Sequence, residues 1–389
     1  MTRPSTDLVP AAPRGGIPIA HMRSVYRCDE IERRLGKLPP KEHEGLRSTY
    51  ERMLEKGPDR FQVKPSGLPA MDHLYDELPN FHDVLDDIRR QLALCSDSRD
   101  ALEITPMLLL GPPGVGKTHF AREVAQLLGT GLGFVSMSSM TAGWLLSGAS
   151  SQWKGARPGK VFETLVDGQY ANPVMVVDEI DKARGEHAYD PLGALYGLLE
   201  HDTAGSFVDE FAEVSIDASQ VIWVATANDE RAIPEPILNR MNVYQVQSPD
   251  RDAARRIALR LYQQIRASHD WGSRFDVMPL DDVLDKFAEM APREMRRSWM
   301  TAFGNAKLAR RERVEVADLP VGVCVNGEWQ TGMGSSIRSG LQYLLGNDPG
   351  LDAIVIALCD QPHVTAADID RAAQAAKSAF KSWAAYDPD

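Results

Sequence analysis

The sequence predicts an α/β protein with a doubly wound, parallel five-stranded sheet, followed by a small helical domain and a short C-terminal α/β-like extension. Short apolar runs bounded by turn residues alternate with segments of helical period, as buried parallel strands and their crossover helices do. These strand-like runs stop after Ser248, and only helical periods follow as far as residue 310. The five predicted strands lie at 106–110, 134–136, 173–177, 221–226 and 242–246.

The composition describes an ordinary globular chain with more than one domain. The 389 residues include 43 Lys and Arg against 55 Asp and Glu, a net charge of −12, and 43% are hydrophobic. This acidic balance argues against a general nucleic-acid or membrane-surface binder, although it leaves room for a local basic groove. No apolar run approaches the roughly 20 residues that a membrane-spanning helix needs. We therefore predict neither a nucleic-acid nor a membrane partner.

The cysteines and the first residues favour a reducing compartment. The four cysteines are scattered and form no Cys-x-x-Cys pair, which excludes a zinc ribbon and a disulfide framework. The first residues, Met-Thr-Arg-Pro-Ser, are not followed by the apolar stretch of a secretory signal. The expected location is the cytoplasm.

Composition shifts divide the chain into four predicted segments. Within the first, residues 4–18 are rich in Pro, Gly and Ala and read as disordered or as a tether. Two short charged helices follow, at 29–35 and 43–56, and are expected to pack on a neighbouring element. The predicted segments are an N-terminal partly disordered and helical segment, an α/β domain, a helical lid domain and a C-terminal extension, at 1–70, 71–248, 249–320 and 321–389.

Helical periods fill the intervals between and after the predicted strands. At 81–94, for example, Phe81, Val84, Leu85, Ile88 and Leu92 share one helical face. The other helices of the α/β domain are predicted at 118–128, 160–165 and 191–199, and those of the lid at 250–266, 280–290 and 292–310.

A phosphate-binding loop is predicted directly after the first strand of the α/β domain. The segment fits Gly-x-x-x-x-Gly-Lys-[Ser/Thr] at every position, between an apolar strand and a helix, as this motif requires. Glycines let successive N–H groups point at phosphate oxygens, and the following helix adds its N-terminal dipole. Lys117 then reaches the β- and γ-phosphates of ATP, while the Thr118 hydroxyl binds Mg²⁺. The predicted loop residues are Gly111, Pro112, Pro113, Gly114, Val115, Gly116, Lys117 and Thr118.

Two adjacent carboxylates follow the next central strand. Asp178 and Glu179 come after four apolar residues, at the carboxyl end where open parallel sheets bind ligands. Asp178 is suited to holding Mg²⁺ and Glu179 to polarising an attacking water. The alternative is that this pair only caps the start of a helix.

Asn228 and Arg240 complete the predicted catalytic set. Asn228 ends a third buried strand, where it can orient water toward the γ-phosphate, or else serve as a structural strand-end residue. Arg240 follows too closely to fold back onto its own phosphate loop, so it is predicted to reach a neighbouring subunit's nucleotide and stabilise transition-state charge. The alternative for Arg240 is a surface salt bridge.

These segments, in this order and spacing, resemble an AAA+ ATPase, and most closely the ATPase module of the Lon proteases. The resemblance runs from about residue 72 to residue 320 and includes 153–160, 172–182 and 233–241. It implies that Lys117 and Thr118 belong to Walker A, Asp178 and Glu179 to Walker B, Asn228 to sensor 1 and Arg240 to a trans-acting arginine finger.

The resemblance also assigns roles in the lid and in two loops. Arg293, which opens a lid helix, looks like the sensor 2 arginine, with Arg296 or Arg297 as weaker alternatives. Trp153 stands where the family has an aromatic pore loop that grips polypeptide, although Lys154 departs from the usual hydrophobic residue and a buried or interface role for Trp153 stays open. Residues 201–210 occupy the place of the second pore loop.

The tail resembles a different family. Residues 324–340 and 353–362, which include Cys-Asp-Gln-Pro, are similar to the middle of molybdopterin-cofactor nucleotidyltransferases, and that similarity places a metal-binding carboxylate at Asp360. The Gly-rich nucleotide loop of that family has no match, and 321–389 is too short for its fold. A grafted fragment or fusion is favoured over a second active site.

The sequence therefore predicts an ATP- and Mg²⁺-dependent AAA+ motor that assembles with itself into a ring, a hexamer by family resemblance, and remodels a protein substrate gripped near Trp153. The Lon proteolytic domain with its Ser–Lys dyad has no counterpart in these residues, so peptide cleavage is not expected of them. One alternative is a nucleotide-dependent scaffold with little turnover. Another is nucleotidyl transfer by the tail.

Overall fold

The computed structural model describes residues 19–39, 43–96, 98–138, 144–153, 155–183 and 192–319, together with residues 337 and 342. The chain separates into two compact units, 1–320 and 321–389. The architecture below is that of the first unit.

The strands of the first unit fall into one parallel sheet and two small antiparallel pairs. In chain order they are β1 (Ile19–Ser24), β2 (Asp59–Lys64), β3 (Met107–Leu110), β4 (Leu132–Ser136), β5 (Val174–Asp178), β6 (Phe207–Val208), β7 (Ser215–Ile216), β8 (Ile222–Ala227) and β9 (Asn242–Gln245).

The helices connect the strands of the sheet and then build the lid. In chain order they are α1 (Cys28–Lys37), α2 (Glu44–Lys56), α3 (Asp72–Glu77), α4 (His82–Ser96), α5 (Lys117–Leu128), α6 (Trp144–Ser147), α7 (Lys160–Phe162), α8 (Leu195–Leu198), α9 (His201–Ala204), α10 (Glu235–Leu238), α11 (Arg251–Ser268), α12 (Asp281–Phe287) and α13 (Pro292–Leu308).

The central sheet has the strand order β4-β5-β8-β3-β9, and every neighbouring pair is parallel. Each of the five predicted apolar runs is one of its strands, so the predicted five-stranded parallel sheet is confirmed. The register pairs Leu110 with Ala227 and Ser136 with Asp178, which brings the carboxyl ends of the three central strands to one edge. Residues that follow these ends meet there.

Helices and the N-terminal segment cover the sheet on both faces, which explains why its strands are apolar throughout. In β3, Leu108 and Leu110 face a core built with α1, α2 and the 161–166 segment. The alternate residues Met107 and Leu109 face a second core built with α4 and α5. All four side chains are at most 6% exposed. Parallel strands between two such layers are buried on both sides, as doubly wound folds require.

The N-terminal segment contains the two predicted helices, α1 and α2, and a pair of strands that the sequence analysis missed. The strands β1 and β2 pair antiparallel, from Ile19 with Lys64 to Ser24 with Asp59. The buried side chain of Asn172 fixes β2 to the core, because it bonds both the N–H and the carbonyl of Val63 at 2.9 and 2.6 Å. The predicted disordered stretch 4–18 lies outside the described residues.

Two predicted helices of the α/β domain differ from the observed ones. The helix predicted at 160–165 is one α-helical turn, α7, which continues as a wider π-helical turn over Glu163–Asp167. The helix predicted at 191–199 is shortened to α8, at Leu195–Leu198. In both regions apolar residues recur at helical spacing because they are buried in one core, and short helices joined to irregular turns bury them without a continuous regular helix.

The lid is helical, as predicted, and its three helices close on an aromatic core. The ring of Trp299 stacks on Phe287 with centroids 3.8 Å apart, and Tyr262 stacks on Phe303 at 5.0 Å. The indole N–H of Trp299 donates to the carbonyl of Ala258 at 3.0 Å, which ties α13 to α11. The lid helices therefore form a compact packed group.

Among the described residues, every helix is too short or too polar to span a lipid bilayer.

Candidate functional site

The phosphate loop lies between β3 and α5, and its glycines are required by its backbone. Gly114 and Gly116 have φ values of +84° and +102°, a left-handed region that residues with a Cβ adopt only with strain. Gly111 lies against the next chain segment, and a Cβ there would collide with the carbonyl oxygen of Val246. The loop thus needs glycine for conformation at two positions and for close packing at a third.

Lys117 is buried within this loop and joins it to the end of β8. Its side chain donates a hydrogen bond to Oδ1 of Asn228 at 2.9 Å and another to the carbonyl of Pro112 at 3.1 Å. Only 8% of the residue is exposed. Burial lowers the pKa of the Lys117 ammonium from its ordinary value, and the nearby Asp178 carboxylate opposes this shift. The predicted partners Lys117 and Asn228 are therefore brought together.

A second hydrogen-bonded chain runs through Asp178. Its Oδ1 accepts from the hydroxyl of Thr118 at 3.3 Å and from the hydroxyl of Thr226 at 2.6 Å. Thr226 in turn accepts from the backbone N–H of Glu179 at 3.0 Å. Thr226 is 1% exposed, so its hydroxyl is a fixed connection between β8 and the end of β5. The two predicted metal ligands, Thr118 and Asp178, lie together.

Glu179 has an unusual backbone conformation. Its φ and ψ are 56° and 50°, the left-handed region, which costs a non-glycine residue on the order of 1 kcal/mol. The short 3₁₀ turn Ile180–Lys182 follows, yet the Glu179 side chain makes no capping bond to it among the described residues. The alternative interpretation, in which this carboxylate only caps a helix, is therefore wrong for Glu179. Strain of this kind is concentrated at functional sites.

These groups line a cavity of about 790 Å³ between the sheet edge and the lid. Of the predicted phosphate-loop residues, Gly111, Pro112 and Val115 are not among those that line it. Side chains of the lid helices α11 and α13 form the opposite wall. The predicted residues that line it are Pro113, Gly114, Gly116, Lys117, Thr118, Asp178, Glu179, Asn228 and Arg293.

Arg293 reaches the phosphate loop from the first turn of α13. A Cβ added to Gly114 would lie 3.2 Å from the Arg293 Cβ, so the lid helix begins directly over the loop. Arg296, one of the two weaker alternatives for the lid arginine, also lines the cavity. Together with Arg260 of α11, the lid therefore supplies three arginines to the cavity wall.

Arg240 and Trp153 lie outside this cavity. The Nε of Arg240 donates to Oε1 of Glu200 at 2.7 Å, the surface ion pair that was the alternative interpretation. Trp153 is 44% exposed and packs edge-to-face on Trp144 with ring centroids 5.1 Å apart. The exposure of Trp153 excludes a buried role within the monomer. Lys154 lies outside the described residues.

A buried carboxylate, not singled out in the sequence analysis, joins the two loops that resemble pore loops. Asp209 is fully buried and accepts the N–H of Gly159 at 2.8 Å, at the end of the Trp153 loop. It also accepts the N–H groups of Phe211 and Ala212 at 3.0 and 2.9 Å, within the turn between β6 and β7. Burial raises the pKa of Asp209 to about 6, although these N–H groups oppose the shift.

Other cavity residues also escaped the sequence analysis. They carry charge or hydrogen-bonding groups but stand in no motif, so their positions are apparent only from the fold. His119 had a weak signal, because it directly follows the phosphate-loop motif. The residues are Glu77, His119, Arg122, Ser136, Ser138, Arg260 and Gln264.

Comparison with protein families agrees with this geometry. Residues 107–248 match the ATPase family associated with various cellular activities (AAA). This segment, and not the whole chain, resembles the AAA ATPases. Its boundaries start at β3 and end after β9, so the match covers the whole parallel sheet.

The chain is also similar to Lon proteases over part of its length. The mitochondrial Lon protease homolog of Schizosaccharomyces pombe is 34% identical over 179 residues, which are 45% of this chain and 17% of that protein. Lon protease 2 of Hydrogenovibrio crunogenus is 38% identical over 165 residues, 42% of this chain and 19% of that protein. The match therefore spans less than a fifth of the length of these relatives.

Among solved structures, the RuvB Holliday junction branch migration motor of Thermotoga maritima is similar at 15% identity. The TM-score is 0.42, over 66% of this chain and 70% of that chain. No property of that motor is assigned to this chain from a similarity at this level.

The tail matches a second family. Residues 298–387 match the MobA-like NTP transferase domain, in agreement with the nucleotidyltransferase resemblance of the C-terminal extension. This match begins within α13 of the lid. Asp360, the predicted metal-binding residue of the tail, lies outside the described residues.

Proposed function

We propose that this chain binds and hydrolyses ATP with Mg²⁺ at the cavity between the sheet edge and the lid. The observation that carries this proposal is the 2.9 Å hydrogen bond from Lys117 to Asn228, beside the 3.3 Å contact from Thr118 to Asp178. Four groups from three sequence-distant elements meet at one edge of a parallel sheet, where such sheets bind nucleotides. The cavity, of about 790 Å³, is within the range of small-molecule sites.

The phosphate loop holds the triphosphate in this proposal. Its N–H groups and the start of α5 supply an anion site, because unsatisfied N–H groups and the helix dipole both favour negative charge. Lys117 adds a positive charge beside the β- and γ-phosphates. Its bonds to carbonyl groups and to Asn228 give the ammonium a defined position before any nucleotide enters.

Thr118 and Asp178 fit a magnesium ion. They present a hydroxyl and a carboxylate oxygen 3.3 Å apart, and hard oxygen ligands of this kind are what Mg²⁺ takes in nucleotide sites. When bound, the ion would neutralise charge on the β- and γ-phosphate oxygens. Thr226 keeps Asp178 in place through its 2.6 Å hydrogen bond.

Glu179 and Asn228 are the proposed catalytic groups. The left-handed backbone of Glu179 sets the direction in which its carboxylate leaves the strand, and the residue lines the cavity beside Asp178. We assign it to the activation of water, which requires a base within hydrogen-bonding distance of that water. Asn228 positions the water and the Lys117 ammonium, and Arg293 contacts phosphate oxygens from the lid.

Arg240 is assigned to a neighbouring subunit's site. In this chain it lies outside the cavity and pairs with Glu200, so it needs a second copy to act on phosphate. Ring assembly, as a hexamer, satisfies this requirement because every copy then presents Arg240 to the next. Trp153, exposed on its loop, is assigned to contact with a protein substrate, since aromatic rings gain contact area at low entropic cost.

The experiment that tests the proposal compares the wild type with Glu179→Gln and Lys117→Ala. Phosphate release and binding of a fluorescent ATP analogue are measured in parallel, with Mg²⁺. Glu179→Gln is expected to retain binding while hydrolysis falls by about 10²–10⁴, the usual contribution of a general base. Lys117→Ala is expected to lose binding. Unchanged hydrolysis in Glu179→Gln contradicts the role of Glu179.

The Arg240–Glu200 pair also favours a second candidate function, a nucleotide-dependent scaffold with little turnover, because Arg240 is held in the monomer. Specific activity measured against protein concentration separates the two. Catalysis in trans makes specific activity rise as subunits assemble, whereas a scaffold stays near background at every concentration.

A further inference from the structure

Residues 77–80, from the last residue of α3 toward α4, connect the phosphate loop and its helix α5 with the lid and the linker before it. We call this stretch the coupling segment. It lies at the side of the nucleotide cavity and contributes Glu77 to its wall. Glu77 contacts α5, the helix that follows the phosphate loop, and the lid helix α11, whereas Asn80 bonds the phosphate loop and the linker that leads to the lid.

Glu77 joins the phosphate-loop helix to the lid through its two oxygens. One oxygen lies 3.2 Å from Nε2 of His119, the residue after Thr118 on α5. The other lies 2.5 Å from Nη2 of Arg260, on the lid helix α11. The Glu77 side chain is only 6% exposed, so water does not replace either partner easily. Arg260 also donates to the carbonyl of His73 at 3.2 Å, a second anchor on α3.

Asn80 makes a parallel connection three residues further on. Its side-chain amide donates to the carbonyl of Val115, inside the phosphate loop, at 3.2 Å. The same amide donates to the carbonyl of Gln247 at 3.0 Å. Gln247 lies in the linker between β9 and α11, the only covalent route from the sheet to the lid. One amide group thus ties the loop to the base of the lid.

The coupling segment is also held against α5 by packing. The next residue, Phe81, stacks on Phe120 with centroids 4.8 Å apart and planes 11° apart. Both rings are at most 1% exposed. A displacement of the phosphate-loop helix therefore carries the coupling segment with it, because close-packed interiors transmit small shifts.

The cluster around Glu77 is an ion-pair network in this interpretation. Ligand atoms of Glu77, His119 and Glu123 lie within 4.8 Å of one another, a spacing that a metal ion also accepts. Arg260 already supplies a positive charge to the Glu77 carboxylate. A cation at that point would face a guanidinium, so charge balance favours the arginine.

We propose that Glu77 and Asn80 couple the phosphate loop to the lid, so that nucleotide bound at the loop sets the position of the lid. Glu77 is a positioning residue: through Arg260 it holds α11, and with it the lid that carries Arg293. This inference rests on the proposed nucleotide site. Changing either side chain breaks the ion pair between α3 and α11, and removing Arg260 also leaves the buried Glu77 carboxylate without its cation.

The test follows hydrogen exchange of α5 and α11 in the full chain, with and without Mg-ADP. The variants are Glu77→Gln and Arg260→Met, and Arg255→Met is the matched control. Arg255 lies on the same helix, but its ion pairs with Asp281 and Asp285 stay within the lid. In the wild type and in the control, Mg-ADP is expected to slow exchange in both helices. In Glu77→Gln and Arg260→Met, protection of α5 is expected to remain while protection of α11 is lost.

The affinity for Mg-ADP provides a second readout. A coupling of ordinary size weakens binding about tenfold in Glu77→Gln and Arg260→Met. The effects of these two variants are not additive in the double variant, because both remove one contact. Arg260→Lys, which keeps the charge, recovers part of the affinity. A merely structural role of Glu77 predicts neither the recovery nor the selective loss in α11.

The outcomes separate this inference from the nucleotide site itself. If Mg-ADP protects neither helix in the wild type, the proposed nucleotide site is wrong. If it protects α5 in every variant and α11 equally in all of them, the site stands and the coupling is overturned. Asn80→Ala provides an independent check when Glu77→Gln fails to fold, since its amide contacts are partly exposed. If Mg-ADP protects α11 from exchange fully in both single variants, Asn80→Ala and Arg260→Met, the proposal is overturned.

Discussion

The Nε of Arg240 donates a hydrogen bond to Oε1 of Glu200 at 2.7 Å, so the proposed trans-acting arginine is held by its own chain. Glu200 lies between α8 and α9, and the Arg240 side chain is 27% exposed. An exposed pair of this kind contributes little to stability, about 0–1 kcal/mol. A neighbouring phosphate therefore competes readily for the guanidinium.

We expect Arg240→Ala and Glu179→Gln to complement each other when mixed. Each variant alone is inactive, because the first lacks the arginine and the second lacks the base. If the two variants assemble at random, about a quarter of the interfaces join a subunit with an intact Glu179 to a neighbour with an intact Arg240. Phosphate release from the 1:1 mixture checks this, and each variant diluted with buffer is the control. Mixed oligomers without recovered activity contradict the trans assignment.

We expect Thr226→Val to destabilise the fold and to slow hydrolysis. The change removes the hydroxyl that bonds Asp178 at 2.6 Å and leaves the N–H of Glu179 unpaired. A buried group left unsatisfied costs about 1–3 kcal/mol. Denaturant unfolding and phosphate release measure the two effects. Thr164→Val is the matched control, because that buried hydroxyl bonds only the carbonyl of Lys160 one turn earlier. Equal losses in both variants contradict a special role for Thr226.

The meeting of Lys117, Asp178 and Asn228 was predictable because local sequence fixes where each of them lies. A strand followed by Gly-x-x-x-x-Gly-Lys-Thr places Lys117 at the sheet edge, and two further strands place Asp178 and Asn228 beside it. Parallel pairing aligns the carboxyl ends of these strands whatever the intervening residues are. The convergence of Lys117 and Asn228 at 2.9 Å therefore follows from pattern alone.

Contacts between distant segments were not predictable in the same way. Glu77 and Arg260 are 183 positions apart and stand in no motif, so only the packed lid brings them to 2.5 Å. Asp209 looks like any acidic loop residue until the fold buries it. The β1–β2 pair was missed because its strands are separated by two helices, although the alternation of Phe61 and Val63 was a weak signal.

We expect Trp153→Ala to reduce the stimulation of ATP hydrolysis by an unfolded protein. The ring is 44% exposed at the end of its loop, so its removal takes contact area from a bound polypeptide and not from the core. The measurement is the ratio of the hydrolysis rate with casein to the rate without it. Leu308→Ala, which removes an exposed apolar side chain of the lid, is the control and leaves the ratio unchanged. A ratio in Trp153→Ala equal to that of the wild type contradicts substrate contact.

We expect Asp209 to make the stability of the fold depend on pH. Its pKa is raised by burial to about 6, above the unfolded value near 3.8, so the native state binds the extra proton. Protonated Asp209 therefore contributes fully to the free energy of unfolding below pH 4. This contribution is lost as pH rises to about 6, a change on the order of 3 kcal/mol. Unfolding in urea at pH 4, 5, 6 and 7 measures it.

Asp209→Asn removes this titration, and its matched control is Asp217→Asn, whose carboxyl has its pKa lowered by Ser219 and Arg23 against the opposing effect of burial. Asp209→Asn is less stable than the wild type at pH 5, because its amide N–H₂ faces one of the N–H groups that Asp209 accepts. The difference in free energy of unfolding between the wild type and Asp209→Asn becomes smaller from pH 5 to pH 7. Over this range only the wild type loses stability through Asp209. For Asp217→Asn the difference in stability from the wild type stays constant between pH 5 and pH 7, because a lowered pKa loses its stabilising effect only as pH falls below the unfolded value. If this difference stays constant for Asp209→Asn, the buried carboxyl does not titrate between pH 5 and pH 7. The N–H groups of Gly159, Phe211 and Ala212 then lower the pKa of Asp209 by more than burial raises it.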